Sequence, residues 1–140
     1  MAAALCYGVR GGGASLAFHV HAGNYDTDTL IAVISKLRRF LGGEKATLLW
    51  DGLAAHRSRK MRQFLATQRD WLVVERLPAH APELNPVEGL WANLKGRELA
   101  NLAVEGLGEV ITAAWQGIAR VRATPHLPYS FLRHCGLWVW

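Results

Sequence analysis

The chain has 140 residues, 51% hydrophobic and 19% charged, an ordinary globular composition for one folded domain that excludes a disordered or low-complexity protein. Lys and Arg number 16 against 11 acids, a net charge of +5, and this modest excess suits an anionic partner such as nucleic acid. The two cysteines, Cys6 and Cys135, form neither a Cys-x-x-Cys unit nor a disulfide framework, no leader pattern opens the chain, and no apolar run approaches the roughly 18 residues of a membrane span, so a soluble cytoplasmic protein is expected.

In chain order, Ala2–Val9 and Ser15–His21 are short strand-like runs joined by Arg10-Gly11-Gly12-Gly13-Ala14, which predicts an antiparallel hairpin with a glycine-rich turn. From Thr27 the apolar residues Leu30, Ile31, Ile34, Leu37 and Leu41 recur at three- and four-residue steps, with Asp26 or Thr27 as cap and Gly42-Gly43 as stop. Ala46–Trp50 predicts a buried strand, Ser58–Arg69 a basic helix with Met61 and Leu65 inward, and Trp71–Leu77 a second buried strand. A proline-punctuated loop, Pro78 to Pro86, follows. Val87–Leu99 and Val104–Val121 then predict two helices, through Leu90, Trp91 and Leu94 and through Leu107, Ile111, Ala114, Trp115 and Ile118. Alternating strands and helices of this kind predict an α/β fold.

Two acids stand at element ends. Asp51 closes the run Ala-Thr-Leu-Leu-Trp-Asp, and Glu88 ends Pro-Glu-Leu-Asn-Pro-Val-Glu at the start of a helix. α/β sheets gather ligands at the carboxyl ends of their strands. Hard divalent cations prefer oxygen ligands, and Mg²⁺ takes one or two protein carboxylates besides water and phosphate. Two such ions about 3.5–4 Å apart can activate the attacking oxygen and stabilise the leaving one at phosphorus. Local grammar offers plainer roles as well. Asn85, Pro86 and Glu88 fit an N-cap, N1 and N3, so Glu88 could complete a capping box, and Asp51-Gly52 could be a turn.

Residues 48–101 as a block resemble the second half of a DDE transposase domain, of the mariner-related transposases of bacterial insertion sequences. The resemblance rests on Leu48-Leu49-Trp50-Asp51-Gly52-Leu53-Ala54-Ala55-His56-Arg57-Ser58 and on Leu77-Pro78-Ala79-His80-Ala81-Pro82-Glu83-Leu84-Asn85-Pro86-Val87-Glu88-Gly89-Leu90-Trp91-Ala92-Asn93-Leu94-Lys95. It continues more weakly through Phe18-His19-Val20 and Ser130-Phe131-Leu132-Arg133-His134. It implies a ribonuclease-H-like mixed sheet with flanking helices. It also implies that Asp51 is the second catalytic acid and Glu88 the third, both ligating Mg²⁺ or Mn²⁺, with His56, Trp91 and Lys95 at matching motif positions. The first catalytic Asp of that family lies on a strand before the hairpin, and the sequence begins inside the hairpin. Asp26 and Asp28 stand where they cap a helix rather than ligate. The chain is therefore expected to be the C-terminal portion of a transposase, lacking the first strand and the helix-turn-helix region. Losing a shared ligand would leave it inactive alone, and unpaired strand edges would invite self-association or complementation by an upstream transposase half.

His56, Arg57, Arg59 and Lys60 after Asp51, and Lys95 and Arg97 on the helix of Glu88, are candidates to hold DNA phosphates, although solvated helix faces fit them equally. His56 could instead orient Asp51, or be a loop histidine satisfied by backbone. Trp91, three residues past Glu88, fits core packing that braces the acid. Three functions follow: a transposase catalytic-domain fragment for DNA strand cleavage and transfer, a non-catalytic DNA-binding or assembly-interfering remnant, and a ribonuclease-H-like nuclease. Substitution of Asp51 and Glu88 separates the first from the second.

Overall fold

Gly11 and Gly13 adopt φ of +80° and +83°, a backbone region open to glycine at little cost, and the chain reverses there. In the computed structural model, which describes residues 1–100, 102 and 106–139, the elements are β1 (Ala2–Tyr7), β2 (Ala14–His19), α1 (Thr27–Phe40), β3 (Ala46–Trp50), α2 (Arg59–Ala66), β4 (Leu72–Arg76), α3 (Pro86–Lys95), α4 (Leu107–Arg122) and α5 (His126–His134). This is the predicted order with one helix added, α5. The predicted start of the fourth helix at Val104 lies outside the described residues. Two units emerge, Met1–Val20 with Glu83–Trp140, and His21–Pro82, and each has its own core.

In the first unit, β1 and β2 pair antiparallel with Leu5 opposite Leu16. The bond from the Gly8 N–H to the Gly13 carbonyl fixes the alternation of the ladder, so Ala3, Leu5 and Tyr7 turn their backbone polar groups to the outer edge of β1. On β2 the corresponding outward carbonyl, that of Leu16, accepts from both Nε and Nη2 of Arg122 at 3.0 and 2.8 Å. The core joins Leu16 to Leu90 and Leu94 of α3, Ala114, Ile118 and Val121 of α4, and Phe131 of α5. Gly117 lets α4 close on its neighbour, since a Cβ there would lie 2.9 Å from Leu94 Cγ. Beside it Arg120 forks onto Glu98 (Nε to Oε1, 2.5 Å; Nη2 to Oε2, 2.9 Å) and reaches Asn93 Oδ1 at 2.6 Å. Arg120 holds the Glu98 carboxyl below the usual carboxylate range, and Glu98 raises Arg120 in turn.

In the second unit, Asp26 caps α1 by accepting from the Thr29 N–H at 2.8 Å. Ile34 and Leu37 of that helix are buried. Gly42 and Gly43, at φ +64° and +81°, end the segment as predicted. β3 and β4 pair in parallel, bracketed by bonds from Ala46 N–H to the Trp71 carbonyl and from Leu77 N–H to the Trp50 carbonyl. Ile34, Met61, Trp71 and Leu72 form the core, with Leu48, Trp50 and Val74 packed against it.

Several details depart from the sequence reading. Among the described residues the antiparallel and parallel pairings of the expected mixed sheet are both present, but as two two-stranded sheets. β3 and β4 are buried on one face only, leaving Leu49 and Val73 53% and 55% exposed, because a short apolar run does not reveal how many of its faces are covered. β1 stops at Tyr7 and β2 at His19. α2 ends at Ala66, β4 at Arg76, and α3 at Lys95, where Gly96 takes the C-cap. No helix among the described residues is long and apolar enough to cross a membrane.

Candidate active site

β3 delivers Asp51 one residue past its carboxyl end. There the chain passes through Gly52 and Leu53 into a tight turn over Ala54–Arg57, and Ser58 caps α2 by accepting from the Met61 N–H at 3.1 Å. The Ser58 hydroxyl also meets that of Thr27 at 3.0 Å, pinning the loop to the start of α1. Inside this loop Asp51 Oδ1 accepts from the Leu53 N–H at 3.3 Å and lies 3.0 Å from His56 Nδ1. The same nitrogen is 2.8 Å from the Asp51 backbone carbonyl. His56 is buried at 7% exposure, and its ring stacks on Trp50, with centroids 4.0 Å apart and planes 3° from parallel. Asp51 itself keeps about half its side chain in solvent, 52%.

Glu88 is placed differently. Asn85 Oδ1 accepts from the Val87 N–H at 3.2 Å, and Pro86 occupies the first turn, the arrangement the sequence predicts for a helix start. The capping-box role open to Glu88 is not taken up. Its side chain is exposed and makes no hydrogen bond or ion pair among the described residues, the cap being supplied by Asn85. Below it Leu90 and Leu94 are fully buried. Trp91 is half-buried, packed against the core and tilted against Phe18 at 6.4 Å. The next residue, Gly89, makes room for Phe131 of α5, whose Cδ1 would sit 3.2 Å from an added Cβ.

The other acids with recorded partners have structural work. Asp26 caps α1, Asp28 pairs with Lys60, Asp70 with Arg38 at 2.8 Å, and Glu98 with Arg120. Asp28 and Asp26 are thus both engaged in holding the second unit. Lys60, one of the candidate phosphate contacts, is the partner of Asp28. Arg57, Arg59, Lys95 and Arg97 are exposed. Asp51 and its neighbours Arg57, Arg59 and Lys60 belong to the second unit. Glu88, Lys95 and Arg97 belong to the first. Within the described residues no three His, Cys, Asp or Glu side chains gather as a metal cluster. Sequence reading missed the stack of Trp50 on His56. Its only trace was an aromatic residue directly before Asp51 in the motif.

Comparison with known proteins shows the family to which the chain belongs, the DDE superfamily endonucleases. The family model described as DDE superfamily endonuclease matches residues 4–110, which include both Asp51 and Glu88. No curated protein matches the chain.

Proposed function

From the chain's membership of the DDE superfamily endonucleases, whose substrate is DNA and which typically use divalent metals, we propose that it is the catalytic-domain portion of a transposase and that Asp51 and Glu88 are two of its metal-binding acids. Mariner-related insertion-sequence transposases, with their ribonuclease-H-like fold, are the group it resembles. The observation that carries the reading is that these two motif acids are solvent-accessible and engage no Lys or Arg side chain among the described residues, unlike Asp28, Asp70 and Glu98.

Carboxylate oxygens are the hard donors that Mg²⁺ or Mn²⁺ takes. The contacts of the Asp51 carboxylate fall on Oδ1, so its second oxygen can serve as a ligand, and both oxygens of Glu88 can. The residues present therefore fit part of such a site. When bound, a divalent ion polarises the phosphodiester and makes water or a 3′-hydroxyl a better nucleophile. The chain's own share is to hold two carboxylates that would bind it and to bind DNA phosphates through Arg57, Arg59, Lys95 and Arg97, with Lys60 and His56 nearby. Water cuts the strand at the transposon end and leaves a 3′-hydroxyl, which then attacks a target phosphodiester and displaces the oxygen on its other side. The set in such a site is three acids, of which Asp51 and Glu88 are two. The chain alone is inactive.

The test is a labelled DNA duplex incubated with the chain in Mg²⁺ or Mn²⁺. Alone, the chain binds with an affinity that falls as salt rises and cuts nothing. Joined to a segment supplying a strand-end Asp, it cuts, and Asp51→Asn or Glu88→Gln abolishes the cutting. Cutting that survives both substitutions would overturn the reading. DNA binding with no Mn²⁺ binding at either acid would favour the non-catalytic remnant instead.

A further inference from the structure

We propose that His56 is the positioning residue of Asp51, acting through Nδ1 to fix which carboxylate oxygen is offered to a divalent cation. This rests on Asp51 being a metal ligand, as argued above. Nδ1 lies within hydrogen-bond distance of two oxygens of the same residue, the backbone carbonyl at 2.8 Å and Oδ1 at 3.0 Å. Both are acceptors, so Nδ1 carries the hydrogen and donates to both. The ring has little freedom to do otherwise. It is buried, lies flat on the Trp50 indole, and sits in a turn closed by the His56 N–H on the Leu53 carbonyl at 3.0 Å.

The consequence falls on the carboxylate. Oδ1 is held by His56 and by the Leu53 N–H at 3.3 Å, which fixes the side-chain rotamer and leaves Oδ2, outside both contacts, as the ligand oxygen. Outer partners of this kind orient metal-binding carboxylates and strengthen them as ligands. Trp50 supplies the other half of the device. It is the last residue of β3, so the strand that carries Asp51 also carries the surface on which its orienting imidazole lies.

Asparagine places an amide nitrogen near the position of Nδ1, and glutamine one near Nε2, so the two variants separate this role from a phosphate contact made through Nε2. Mn²⁺ is titrated onto the full 140-residue chain, with free Mn²⁺ read by electron paramagnetic resonance. His56→Asn keeps the wild-type affinity within about twofold, while His56→Gln and His56→Phe weaken it by about tenfold or more. Equal affinity in all variants, or rescue by Gln but not Asn, overturns the proposal. If Asp51→Asn leaves Mn²⁺ binding unchanged, the metal reading of Asp51 is what fails, and the role of His56 as the aligner of a metal ligand falls with it. An independent readout needs neither metal nor mutation. The ring-nitrogen chemical shifts of ¹⁵N-labelled wild-type protein report the hydrogen on Nδ1, and a hydrogen on Nε2 alone overturns the proposal.

Discussion

Asp51 is held by contacts to its own carboxylate, a backbone N–H two residues on and a buried imidazole five residues on, whereas Glu88 is held by a helix start that leaves its carboxylate untouched among the described residues. The first arrangement fixes an oxygen. The second fixes only a Cα and leaves the side chain to choose its rotamer. One acid is therefore sensitive to small changes in its loop, and the other to the packing of α3 beneath it.

Removing either charge is the largest way to break this comparison. In an assembly completed with its third acid, Asp51→Asn and Glu88→Gln each lower DNA cleavage by about 10³-fold or more, the scale of several kcal/mol that metal binding contributes to the transition state, measured on a labelled duplex. Cutting the cores comes next. Ile118→Ala beneath the helix of Glu88, and Met61→Ala beneath the loop of Asp51, both start from fully buried side chains and each costs about 2–5 kcal/mol. Hydrogen exchange locates the loss, with protection falling first in the helices of the unit that carries the substitution.

The Glu98–Arg120 fork gives a smaller effect with a pH signature. Its loss by Glu98→Gln leaves Arg120 with a weaker partner and costs about 1–3 kcal/mol. The folded-state pKa of Glu98 is depressed, so the unfolded chain binds more protons. The pair's stabilisation is present above the ordinary carboxylate range and is lost as pH falls through the lowered value. Denaturant titrations of wild type from neutral to acidic pH show that loss, and Glu98→Gln flattens it. The caps are the smallest test. Ser58→Ala and Asn85→Ala each cost about 1 kcal/mol. Because Ser58 also anchors the loop to Thr27, its loss shifts the amide resonances of Leu53 and His56, whereas Asn85→Ala leaves those two resonances in place.

Much of this was legible in the chain because the signals are local. Asp26 as a cap, the paired stop glycines, Ala46–Trp50 with both its ends, the glycine turn, and the Asn85–Pro86 helix start all depend on a few neighbouring residues. α5 was not legible because Pro128 reads as a breaker, although the residue lies in the first turn, where a missing N–H costs little. One-sided burial of β3 and β4 was not legible either, since it depends on which elements cover the sheet. Of the candidate site, residue identities and their places at a strand end and a helix start came from the motif. The donor nitrogen of His56 did not, because it depends on the turn at 54–57 and on the indole beneath the ring.

The guanidinium of Arg122 on the Leu16 carbonyl sets the valence of the hairpin as a building block. A two-stranded sheet with both edges open is bifunctional and can chain indefinitely, copy after copy. With β2 stoppered at its midpoint, a further strand can add at that edge only by displacing the guanidinium, so the hairpin cannot grow copy after copy through β2.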